Sequence, residues 1–156
     1  MKSFLRIIFA IALLVGASIL AQAQESIKVA KKDVPEAVLS AFSKAYPKGI
    51  IKTYSREMRD GKICYEIESK DRHTKRDIIY AADGDVMEIE EALKPNELPQ
   101  VVTAAITKAH PKGKIIAAER LTRGDVVQYE STIKDGGKKI DLVFSDAGEL
   151  AKPAVK

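Results

Sequence analysis

The feature that most constrains this chain is that it repeats itself. A pattern running from Val34 to Asp85 returns at one constant offset from Leu98 to Glu149. Pro35 recurs as Pro99, Lys44-Ala45 as Lys108-Ala109, Pro47-Lys48-Gly49 as Pro111-Lys112-Gly113, Arg56 as Arg120, Tyr65-Glu66 as Tyr129-Glu130, Asp77 as Asp141 and Gly84 as Gly148. Spacing is kept along with the letters, so the fold of one copy must also suit the other. At 156 residues the chain has room for two small units fused across a shared core.

Each unit opens on a helix. Asp33 offers a capping oxygen, Pro35 suits a first turn, and Glu36 places an acid at the positive helix end. Val34, Ala37, Val38, Ala41, Phe42 and Ala45 form one apolar stripe, and Pro47 with Gly49 ends the helix. Leu98, Val101, Val102, Ala105, Ile106 and Ala109 repeat the stripe, stopped by His110-Pro111-Lys112-Gly113. Residues 50–58 and 62–68, then 115–122 and 126–133, alternate as strands around short glycine-containing loops. Further strands are expected at 75–81 and 139–145, with short last strands at 85–89 and 149–151. The expected fold class is α+β: two tandem helix-plus-antiparallel-meander repeats, with the helices on one sheet face and the other face open. The strands form either one larger sheet or two sheets packed side by side.

Alternation assigns the faces. Ile63, Tyr65, Ile67, Ile78 and Tyr80, with Val127, Tyr129, Ile133, Leu142 and Phe144, are expected to meet the helices. Cys64, Glu66, Glu68, Asp77 and Ile79, with Gln128, Glu130, Thr132, Asp141 and Val143, fall on the open face. A three-residue loop in the first hairpin sets Tyr54 across from Glu66 and Lys52 across from Glu68, adding an aromatic to that face. The expected division is a signal peptide at 1–23, a lead-in or edge strand at 24–33, repeats at 34–89 and 98–151, a connector at 90–97 and a fraying tail at 152–156.

The first segment has a leader's composition. Lys2 and Arg6 precede an apolar run from Ile7 to Leu20, and Ala21-Gln22-Ala23 is a small-x-small cleavage signal. Export to the periplasm or the medium is expected, with no membrane span after cleavage. The formal charge is +4, and two of its cations belong to the leader, so the remaining chain is near neutral. Cys64 is the single cysteine, which leaves no internal disulfide. It reads as a small strand residue in a monomer, with a Cys64-linked dimer as the alternative.

The helix, Tyr46-Pro47-Lys48-Gly49, hairpin, Tyr65-Glu66-Ile67 and Asp83-Gly84, repeated as His110-Pro111-Lys112-Gly113, Tyr129-Glu130-Ser131 and Ala147-Gly148, resemble PepSY-like domains. A tandem pair behind a leader is similar to exported PepSY-like proteins with a beta-lactamase-inhibitor-protein-like fold. The resemblance implies helices over one face of an antiparallel sheet and a free, often concave face for a protein partner. Ala147, where the turn acid is missing, and Ser131, where a larger residue is usual, depart from the pattern.

No catalytic constellation accompanies this architecture. His73 and His110 stand outside metal-ligand spacing, and no Gly-x-Ser-x-Gly, phosphate loop or zinc-binding His pair occurs. Asp83-Gly84-Asp85 is too short for a calcium loop. Scattered cations disfavour nucleic acid, and the Arg72 to Arg76 cluster reads as a solvated hairpin turn. The expectation is a non-catalytic binding module without cofactor or metal, an inhibitor or modulator of an exported or envelope enzyme. Its candidate partner contacts are Tyr54, Arg56, Glu66, Glu68, Arg120, Gln128 and Glu130. The alternative is a binder of a small ligand, cation or cell-wall fragment.

Overall fold

The computed structural model describes residues 26–72 and 74–151. The leader, the tail from 152 and His73 lie outside the described residues. The strands are β1 (Ile27–Val29), β2 (Ile50–Arg59), β3 (Lys62–Asp71), β4 (Thr74–Ala81), β5 (Val86–Leu93), β6 (Lys114–Arg123), β7 (Val126–Asp135) and β8 (Lys138–Ser145). They form one antiparallel sheet in the order β1-β2-β3-β4-β5-β6-β7-β8. Helix α1 (Glu36–Ala45) lies between β1 and β2 in the chain, and α2 (Gln100–Ala109) between β5 and β6. The choice left open between one sheet and two is thereby settled as one α+β sheet.

Both helices pack on the same sheet face. Val34, Val38 and Phe42 close over Ile67, Ile78 and Tyr80. Leu98, Val102 and Ile106 close over Ala118, Ile133, Leu142 and Phe144. These are the residues that a 3.6 period in the helices and a period of two in the strands single out. Ile63 was expected in this core, but it is exposed near the end of the first hairpin.

Four local expectations are corrected. Asp33 sits in a 3-10 turn and makes no capping bond; Pro35 is the N-cap of α1. The first hairpin turns through two residues, Asp60 and Gly61, both at positive φ as a type I′ turn requires. Tyr54 therefore faces Ile67 in the register and joins the first core, not the open face. The strand after the Asp83-Gly84 turn continues past Ile89 to Leu93, because its later residues find partners on β6 from Ala118 to Thr122. After β8 only an isolated bridge forms, between Phe144 and Leu150, where a last strand was expected.

Gly84 fixes how closely α1 approaches the sheet. Its φ is +93°, and a Cβ there would lie 2.8 Å from the Ala37 carbonyl oxygen. Gly61 shares the positive φ but has open space around it. Gly84→Ala is expected to destabilise by about 2–3 kcal/mol, strain plus displacement of the helix, and Gly61→Ala by about 1 kcal/mol from strain alone. Urea midpoints measured side by side check this, and equal losses would contradict the close-approach account.

Candidate functional site

Among the described residues, no helix covers the second face of the sheet. Period-two alternation sends Glu66 and Glu68 of β3, Asp77 of β4, Glu90 of β5, Glu119 of β6, and Glu130 and Asp141 of β7 and β8 into it. The face encloses a hollow of about 550 Å³ lined by these carboxylates together with Ile79, Ala92 and Thr132. Their order across the strands is set by register: Glu68 stands opposite Asp77, Asp77 opposite Glu90, and Glu119 opposite Glu130. Directly opposed like charges in a ladder are destabilising.

The hairpin end of the face is neutralised from within the chain. Arg59 Nη1 donates to Glu88 Oε2 at 2.9 Å, and Arg59 also pairs with Glu57. Arg123 Nε donates to the same Glu88 carboxylate. Glu57 and Glu88 are 4 % and 2 % exposed, yet these guanidiniums, acting against burial, hold the Glu88 carboxyl below its ordinary range.

Elsewhere the balance reverses. Burial, with Glu88, Glu119 and Asp77 around it, pushes the Glu90 carboxyl up to about 8. Burial, with Glu119 and Asp141, pushes Glu130 up to about 7. Glu119 is raised by burial and by Asp77, against a lowering from Lys75. A carboxyl with so high a value stays largely protonated below that pH, and an arriving positive charge favours its ionised form.

The sequence-derived contacts divide between the two faces. Glu66, Glu68, Gln128 and Glu130 lie on the open face as expected. Tyr54, Arg56 and Arg120 lie on the helix face: Arg56 stands opposite Tyr65, and Arg120 opposite Tyr129. Arg120 pairs there with Glu91, which also accepts from Arg76 Nε at 2.7 Å. Arg76 stacks 4.4 Å over the Tyr46 ring, so this cation of the expected solvated turn instead sits in a polar seam on the helix face. His110 Nδ1 lies 3.0 Å from Asp135 Oδ2 at the end of α2. Cys64 is buried with Sγ 3.3 Å from Met87 Sδ, and burial raises its thiol.

Sequence reasoning misses Glu57, Glu88, Glu90 and Glu119 as members of the open face. The alternation of Glu88 and Glu90 with Ile89 carried the signal for β5.

The family model described as "Putative beta-lactamase-inhibitor-like, PepSY-like" matches residues 22–84 and 65–152. A comparison with curated proteins gave no match. Among solved structures, a BLIP-like protein from Bacteroides fragilis is 23 % identical over 76 % of this chain and 83 % of its own, with a TM-score of 0.60. A DUF2874 family protein from Bacteroides ovatus is 17 % identical over 76 % and 85 %, with a TM-score of 0.62. A protein from Bacteroides eggerthii described as "putative periplasmic" is 15 % identical over 76 % and 86 %, with a TM-score of 0.64. Among the described residues, no helix is long and apolar enough to cross a membrane.

The raised carboxyls set a pH dependence. Glu90 and Glu130 bind protons more tightly folded than unfolded, so their contribution is fully present below about pH 4.5 and is lost as pH rises toward about 8. Glu88 and Glu91 are lowered and act oppositely, losing their contribution as pH falls below the ordinary carboxylate range. The melting temperature is expected to be highest near pH 5 and to decline toward pH 8.5. Glu90→Gln should raise it by a few degrees at pH 8.5 and hardly change it at pH 5, as followed by circular dichroism; equal shifts at both pH values would contradict the assignment.

Proposed function

Since this chain belongs to the beta-lactamase-inhibitor-like, PepSY-like family, we propose that it is a non-catalytic binding module that docks an exported protein through its open sheet face. One observation carries the reading: a hollow of about 550 Å³, backed by a single eight-stranded sheet and crowded with carboxylates, with both helices on the opposite side. A ladder presenting fixed charges over a broad surface suits recognition of a protein. The name of the Bacteroides fragilis relative, BLIP-like, makes inhibition or modulation of an exported enzyme the specific form of this proposal. In the same reading residues 1–23 are a removed leader and the protein works in the periplasm or outside the cell. Segments 34–89 and 98–151 are two copies of one unit joined by 90–97, with 24–33 leading in and 152–156 trailing.

Of the seven sequence-derived contacts, Glu66, Glu68, Gln128 and Glu130 stay in the proposed interface. Tyr54, Arg56 and Arg120 lie on the opposite face, where Tyr54 packs on the first core and Arg120 pairs with Glu91. A second reading, capture of a small cation, is favoured by Glu66, Glu68 and Asp77, whose carboxylate oxygens lie within 4.8 Å of one another.

The full chain, used as bait on envelope and secreted fractions of its source, is expected to retain a stoichiometric partner. Glu119→Lys/Glu130→Lys should abolish that capture, whereas Lys108→Glu on the far side of α2 should not. Unchanged capture by a folded Glu119→Lys/Glu130→Lys protein would remove the open face from the interface.

A further inference from the structure

The open face also indicates what kind of surface it receives. We infer that its occupant is a cationic segment, bearing arginine or lysine side chains, of an exported partner protein. This rests on the binding-module reading and names the chemistry of the partner.

The chain supplies the template. At the hairpin end of the face, the buried acids Glu57 and Glu88 are met by the guanidiniums of Arg59 and Arg123. Planar guanidiniums suit carboxylates because their donors fork onto paired oxygens. Further along the face, the charges acting on Glu90 and Glu130 are carboxylates: Glu88 on the same strand, Asp77 from β4 and Glu119 from β6 for Glu90, and Glu119 and Asp141 from β6 and β8 for Glu130. Both are part-buried, and Leu121 and Gln128 complete the row beside Glu90. The charge of Lys75 on β4 acts to lower the Glu119 carboxyl, and with Lys52 and Lys70 it concentrates positive charge around β2 to β4. The seat for an incoming cation is therefore over β5 to β8, at Glu90, Glu119, Glu130 and Asp141.

Extent distinguishes a segment from an ion. The four strands β5 to β8 span roughly 14 Å at the usual spacing between neighbours. A single ion engages one cluster of oxygens, whereas an extended segment with several cations spaced along it can answer carboxylates distributed over all four strands. Without the proposed leader the chain is near neutral, so its net charge does not draw cations in, and attraction must come from this local field. Arrival of fixed positive charge also releases the protons held by Glu90 and Glu130, which ties affinity to pH.

The test uses a fluorescein-labelled peptide alternating arginine and glycine, its glutamate counterpart and calcium chloride, each titrated into the full chain in physiological salt. The arginine peptide is expected to bind and the glutamate peptide not to. Binding should be about threefold or more tighter at pH 8.5 than at pH 6. Glu90→Gln/Glu119→Gln/Glu130→Gln should weaken it about tenfold or more without lowering the melting temperature at pH 8.5. Equal affinity of wild type and triple variant, or a thermal shift with calcium in the absence of peptide binding, overturns the inference. If the peptide fails while partner capture still depends on Glu119 and Glu130, the cationic segment is wrong and the binding module stands. If the peptide binds in the variant-sensitive manner but no protein is captured, the binding-module reading falls and the protein partner with it, leaving only the affinity of the face for cationic chains.

Discussion

The pairing of β5 with β6 is the constraint on which the rest of the structure depends. Ile89 to Leu93 runs antiparallel to Ala118 to Thr122, and through this ladder the strands before and after it become one sheet. On the helix face the ladder brings Glu91 between Arg76 and Arg120, filling the seam between the two apolar cores with ion pairs. On the other face it brings Glu90 toward Glu119 and Asp77, so that acids from distant parts of the chain share one hollow. If the ladder were broken, two small helix-backed sheets would remain, each with too little core to be secure.

The two faces handle charge differently. The seam on the helix face and the hairpin end of the open face both match carboxylates with arginines, and Glu88 and Glu91 are held below their ordinary values there. The rest of the open face sets Asp77 opposite Glu90 and Glu119 opposite Glu130. A stability optimum alone would place apolar or opposite-charge pairs at those positions. Carboxyls crowded in a concave surface lower folding stability near neutral pH and strengthen attraction for positive charge, a trade-off expected at a recognition site.

Much of this was legible in the sequence, for a physical reason: the periods of helix and strand are fixed. Val38, Phe42, Val102 and Ile106 fall on the apolar stripes and are buried. Glu66, Asp77, Glu130 and Asp141 follow from alternation around turns that glycine marks. Where legibility failed, the cause was register. A three-residue loop puts Tyr54 on the open face; the observed Asp60-Gly61 turn is one residue shorter and puts it in the core, since a one-residue slip exchanges the faces. A strand ending at Ile89 hides Glu90, which pairs with Asp77 across the local β4–β5 hairpin and with Leu121 of β6; the second partner is distant in the chain, and no local pattern encodes it.

The central claim is that the open face holds carboxyls crowded enough to await positive charge. Carboxyl-carbon NMR titration of the glutamate side chains reads this directly. Glu90 is expected to titrate near 8 and Glu130 near 7 while Glu88 stays below the ordinary carboxylate range. If Glu90 and Glu130 both titrate at the ordinary value of 4.5, the face is a solvated surface like any other and the account fails.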